Sequence, residues 1–409
     1  MKSLLFAVGL LVVFAGGLLA QSTIIKLPTT NNSSSLVVTD NLDVVLLKIF
    51  GSGGFYIPGN YPPSALPVTG TGARLTWDPS FAAFRAGVVD ASQWDAANTG
   101  TGSIAIGHNT TASGAYSMAM GDNTTASGSR TTAMGSGTTA SAGYSTAIGY
   151  NASANGPYSI SMGSNTTTNG DAATAMGYST TAGGLASIAM GYHTTANGFY
   201  TTAIGSYVST NGYNGSCVIG DASTNSTVTN SSAYNEMTMR FDGGYRLFSD
   251  SGLTTGVHMD AGVSGWTNIC DRNKKQSFRP IDGEELLKKI RTIPITEWSY
   301  KGSDLSIRYI GPMAQDFYSA FHLGGKDSLG INSISIDGVN MAGIQALEKR
   351  TAELQLATAE LEKRTNELQK THERISALET SLNKLSAIVQ TLVDEKKNVS
   401  MNVVERKEQ

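Results

Sequence analysis

From residue 103 to residue 220 the chain alternates small and apolar positions in one recurring unit. The unit is Ser or Thr, a variable residue, Ala, Ile or Met, then Gly. It stands as Ser103-Ile104-Ala105-Ile106-Gly107, then as Ser117-Met118-Ala119-Met120-Gly121, and starts again every 14 residues as far as Thr201. A last copy, Ser216 to Gly220, arrives one residue late. Polar stretches such as 109–114 separate the copies. Period-two alternation predicts a strand with Ile104 and Ile106 on one face and Ser103, Ala105 and Gly107 on the other. So short a unit cannot bury a core alone, so the copies are expected to stack as a β-solenoid with like residues on like. Gly107 and Gly114 supply the backbone freedom for the turns. A disordered low-complexity tract would not need Ile or Met at a fixed phase. The small face admits a close neighbour, which the sequence predicts to be another chain.

The pattern changes on both sides of the array. Residues 1–20 place Lys2 before an apolar run and predict a secretory signal peptide cut after Ala20, with an uncleaved N-terminal anchor as the alternative. Residues 21–102 form a mixed segment with β-like runs at 36–38 and 44–50 and a Gly/Pro-rich stretch at 51–67. Residues 221–265 are a β linker, with strands at 236–241 and 245–248 about a turn at Asp242-Gly243-Gly244. Residues 266–340 are a more charged α/β module, with helices at 284–292 and 314–321 and a strand at 295–300. Residues 341–395 carry a heptad: Leu347, Leu354, Leu361, Leu368, Ile375, Leu382 and Val389 recur at seven, joined later by Leu378, Leu385 and Leu392. This is a coiled coil whose seam needs partner helices. Thr351, Thr358 and Thr365 weaken its first half, and the seam does not decide between two strands and three. A polar tail, 396–409, ends the chain. The fold class is therefore mainly β with a C-terminal α part.

Composition removes several functions. Net charge is −3 and charged residues are 15% of 409, so nothing suggests nucleic acid or an anionic membrane as partner. The histidines (His108, His193, His258, His322, His372) are scattered without metal-ligand spacing, and no Walker or dinucleotide fingerprint occurs, so no metal or other cofactor is expected. Paired carboxylates for glycan cleavage are not apparent in the repeat. Two cysteines, Cys217 and Cys270, are too few for a disulfide scaffold and fall in different modules.

The S-x-A-I-G unit and its 14-residue step resemble the heads of trimeric autotransporter adhesins. That resemblance implies a left-handed parallel β-roll built by three chains with their small faces together, hence a homotrimer at the bacterial cell surface or secreted. Here a polar tail stands where that family has a β-barrel, so no membrane anchor of its own is expected in the mature chain.

Residues 268–347 resemble the endosialidase-type intramolecular chaperone. The resemblance rests on Cys270-Asp271-Arg272-Asn273-Lys274-Lys275, Phe278-Arg279-Pro280-Ile281, Trp298-Ser299-Tyr300-Lys301, Ile310 to Asp316, Ile336-Asp337-Gly338 and Ile344 to Leu347. It implies a domain that trimerises, sets the preceding β-structure in register and then cuts itself off. The family's nucleophilic serine position is held here by Cys270, its aspartate by Asp271 and its lysine by Lys275. The cut would fall between Ile269 and Cys270. In a Ser–Lys dyad a neutral lysine takes the nucleophile's proton, and with cysteine the attack on the preceding carbonyl becomes an N-to-S shift. A lysine cation beside a cysteine favours the nucleophilic thiolate. Against this, Cys270 can be read as a small buried apolar residue, Lys275 as a solvated charge and Asp271 as a cap; Lys274 competes as the base, and Gln315 is a packing residue or a site residue.

Two readings follow. One is an exported trimeric adhesin-like fibre with a self-cleaving chaperone, acting once in cis. The other is a structural trimer that keeps its chaperone as a clamp. A glycan or a host matrix surface is the expected ligand class of the head.

Overall fold

The computed structural model describes residues 35–39, 45–50, 55–56, 69–224, 226–323 and 328–405. The expected signal peptide, residues 1–20, lies outside them. Among the described residues no helix is long and apolar enough to cross a membrane. The chain divides into two compact units. One surrounds the repeat array, reaching Tyr245 and taking in Met259–Ser264, and the other holds Arg246–His258 and the chain from Gly265.

Each repeat folds as the alternation predicts. It gives one longer strand, such as Ile104–His108, Met118–Asp122 or Thr146–Tyr150, and most repeats add a two-residue strand, such as Thr125–Ala126 or Ser153–Ala154. Like pairs with like in parallel register: Ala105 with Ala119, Gly107 with Gly121. The longer strands assemble into a 12-stranded sheet and the short ones into an 8-stranded sheet. Ala105 and Ala112, from opposite sides of one coil, are fully buried in the same cluster. The array is thus a β-solenoid.

One expectation is corrected. The small face does not receive another chain. Ser103, Ala105 and Ala119 point into this chain's own interior with no exposed surface. Ile104, Ile106, Met118 and Met120 lie on the outside, partly exposed. The reason is width: a coil this short closes two sheets so tightly that only small side chains, Ala, Ser and Thr with Val208 and Val218, fit between them. Gly107 marks the same tightness, since its φ is +124° and a Cβ there would sit 2.0 Å from the Gly121 carbonyl oxygen.

The inward alanine positions are broken by polar residues at one coil. There Ser161 and Thr168 stand in the register of Ala147 and Ala154. Their hydroxyls are paired, Ser161 Oγ with Thr166 Oγ1 at 2.8 Å and Thr168 Oγ1 donating to Ser159 Oγ at 2.8 Å. The alanine core is accordingly two clusters, one ending at Ala154 and one starting at Ala173.

Structure continues past both ends of the array. Gly72–Asp78 pairs antiparallel with Ala83–Val89, which runs parallel to Ile104–His108. The buried Arg85 closes this end, donating to the Ser103 and Ala112 carbonyls and to Ser103 Oγ, while Trp94 Nε1 donates to the Thr110 carbonyl at 2.8 Å. Burial pulls the Arg85 guanidinium down to about 10, against the opposing pull of Asp78. At the other end Met237–Arg240 adds a last parallel strand beside Cys217–Gly220. Arg240 donates to the Ser206 and Asp221 carbonyls and bridges Asp221 at 3.3 Å. Met237–Arg240 and Tyr245–Phe248 flank the expected turn but join different sheets, so they form no hairpin.

The second unit contains α1 (Gly283–Thr292), α2 (Ala314–Phe321) and α3 (Ser333–Glu405). Asp282 caps α1 by accepting from the Glu284 and Glu285 backbone N–H groups. Leu286, Phe317 and Val339 form the core that joins the three helices. Gly283 permits close packing, since a Cβ there would lie 2.7 Å from Ala346 Cβ. Thr296–Trp298 pairs antiparallel with Tyr309–Gly311. Helix α3 begins before residue 341 and continues into the polar stretch. Its heptad residues stay exposed, Leu354 at 62% and Leu368 at 70%. Thr351, Thr358 and Thr365 hydroxyls donate to the carbonyls of Leu347, Leu354 and Leu361, each at 2.8 Å, and so bring no unsatisfied donor to the seam.

Candidate active site

The stretch before the predicted cut is held in a sheet. Tyr245–Phe248, Gly256–Met259 and Thr267–Asn268 form three strands, with Val257 opposite Asn268 and His258 opposite Thr267. Ile269 extends the ladder by one bond, its N–H donating to the Gly256 carbonyl at 3.1 Å. The chain then leaves the sheet at the Ile269–Cys270 peptide.

A short 3-10 turn, Arg272–Lys274, follows at once. Asp271 starts it, its carboxylate accepting from the Asn273 N–H at 2.9 Å. The Lys275 N–H closes it on the Arg272 carbonyl at 3.1 Å. Lys275 itself returns to extended backbone, which swings its side chain back over Cys270. Its Nζ donates to Cys270 Sγ at 2.7 Å. The turn is steadied beyond by the Arg272 guanidinium, 4.9 Å from the Phe278 ring centre.

Three of the sequence-predicted residues therefore meet within one turn. Cys270 is an exposed free thiol, not a buried apolar residue, and Cys217 is free as well. Lys275, rather than Lys274, contacts the sulfur. Asp271 acts on the turn and not on the thiol. Gln315 sits in the first turn of α2, on an open groove of about 550 Å³ also lined by Trp298, Tyr300, Lys301 and Ile331. Chemically, the arrangement sets a nucleophile beside its own preceding carbonyl with an amine in proton-transfer reach.

Residues 270–325 match the family model described as chaperone of endosialidase. The match opens on Cys270. Residues 99–124, 126–152, 154–180 and 182–207 each match the YadA head domain repeat, two copies at a time. Comparison with curated proteins finds no match. The chain thus carries an adhesin-type head followed by an endosialidase-type chaperone domain, in the order expected.

The head surface holds features that sequence reading passed over. Tyr144 and Tyr158 stack at 5.0 Å between centroids, and Tyr178 and Tyr192 at 5.2 Å. These spacings follow the strand separation of about 4.8 Å. The Arg130 guanidinium lies 5.3 Å from Tyr116 and 5.4 Å from Tyr144. The signal was available, because Tyr116, Arg130, Tyr144 and Tyr158 are spaced by one repeat. His108 is another such residue, bridging Asp122 at 2.7 Å and Asp90 at 3.0 Å across neighbouring coils.

Proposed function

We propose that this chain is an exported, trimeric, adhesin-like fibre whose chaperone domain sets three chains in register and then breaks the Ile269–Cys270 bond in cis. The observation that carries the reading is the exposed apolar row in each unit. On the solenoid, Ile or Met stands outward at the same register in coil after coil, as at Met162, Met176, Met190 and Ile204. On α3 the heptad leucines do the same. An apolar row of that regularity is covered in the working molecule, and identical chains supply identical rows. The outward Ile and Met side chains, not the small residues, are the interface of the head.

The cut follows from the thiol. Lys275 takes the Cys270 proton, and Sγ adds to the Ile269 carbonyl carbon. The C–N bond breaks as Lys275 returns the proton to the leaving Cys270 nitrogen, leaving a thioester. Water then frees the fragment Cys270–Gln409. The aromatic rows and the Thr- and Asn-rich turns support weak, repeated contacts with a glycan or matrix protein, multiplied by three chains. Export and a surface or secreted location belong to this reading.

Native mass spectrometry of the purified chain tests the assembly. A trimer is expected, and a monomer at micromolar concentration would contradict it.

A further inference from the structure

We propose that Lys275 is also an acyl acceptor: part of the thioester on Cys270 passes to Lys275 Nζ and leaves the head joined to its chaperone by an isopeptide bond. The inference rests on the cut proposed above and concerns the fate of its intermediate.

Position supports it first. Nζ lies 2.7 Å from the sulfur that would carry the acyl carbon, and that carbon is one bond from Sγ. Both side chains stand at an exposed turn, so Nζ has room to move onto the carbonyl. The acyl donor stays in place, because Ile269 remains tied to Gly256 through its own N–H after its bond to the Cys270 nitrogen breaks.

The proton count supports it next. Lys275 gives its proton to the departing Cys270 nitrogen, so it is neutral, and therefore nucleophilic, when the thioester forms. Nζ adds to the thioester carbon, the C–S bond breaks, and sulfur leaves with the electron pair. The surplus proton on Nζ passes to the sulfur and restores the thiol. One amide has become another, with no water, oxidant or co-reactant consumed. Sulfur matters here. Thioesters react with amines far more readily than with water, a preference that is weaker for the oxygen ester that serine would give. The product keeps the mass of the uncut chain but is branched, with Cys270 as a new N-terminus.

The test uses the full chain. The material of full-length mass is separated under denaturing conditions and treated with 2-cyanobenzothiazole, which reacts with N-terminal cysteine, so the internal Cys217 stays silent. The proposal expects one label on a full-length species, and a branched peptide linking the Ile269 carboxyl to Lys275. If fragments form while the remaining full-length chain is linear and unlabelled, the cut stands and the transfer to Lys275 is overturned. If neither fragments nor label appear, the cut itself fails and the transfer with it.

Discussion

Ser161 Oγ lies 2.8 Å from Thr166 Oγ1 inside the solenoid, where neither side chain has exposed surface. In other coils the same threonine position faces an alanine. Thr110, Thr124, Thr138, Thr180 and Thr194 then keep a buried hydroxyl with no partner. Another coil puts Val208 at that register, fully buried. Thr138→Val should therefore raise stability by about 1 kcal/mol, since it removes an unsatisfied hydroxyl without changing shape. Ser161→Ala should cost about 1–3 kcal/mol by orphaning Thr166. Denaturant unfolding of the two variants beside the parent chain checks both signs.

The contact of Lys275 with Cys270 separates the two candidate lysines. Lys275→Met should abolish the cut, and Lys274→Met should leave it in place. Fragment yield at a fixed time after purification decides. Equal loss in both variants would remove the assigned role of Lys275.

His108 predicts a pH dependence of the head. Its imidazole is raised above the ordinary 6.5, first by the hydrogen bond to Asp122 and then by Asp90. Asp122 is lowered from 3.8, chiefly by His108. A base whose folded value is raised stabilises below its unfolded value and loses that contribution as pH rises through the folded one. The carboxylates act only while ionised, above their own unfolded values. The bridge therefore works in mildly acid solution and fades toward alkaline pH. The thermal midpoint of the parent should exceed that of His108→Gln at about pH 5.5, with the gap narrowing at about pH 8.

The outward apolar row predicts how assembly fails. Met134→Lys with Met176→Lys places charge on that row without touching the interior. The double variant should lose the trimeric head while α3 stays helical, read by native mass and circular dichroism. An unchanged trimer would move the interface to another face.

Much of this was legible in the sequence, for reasons particular elements make plain. The 14-residue phase of Ala105, Ala119 and Ala133 reports a stack directly, because in-register pairing forces like onto like. The α1 and α2 stretches were legible from their apolar spacing, and the Cys270–Lys275 pair from its motif. Which face of the alternation points inward was not, since alternation defines two faces but not the width of the space between the sheets. The capping by Arg85 and Arg240 was equally hidden, because each reaches across coils to carbonyls that no local pattern names.

The central claim is the broken Ile269–Cys270 bond, and intact mass under denaturing conditions measures it most directly. The purified full chain should yield a fragment beginning at Cys270 and ending at Gln409, and Cys270→Ala should yield none. A single linear chain from both, still assembled, would contradict the account and leave the chaperone domain as a permanent clamp.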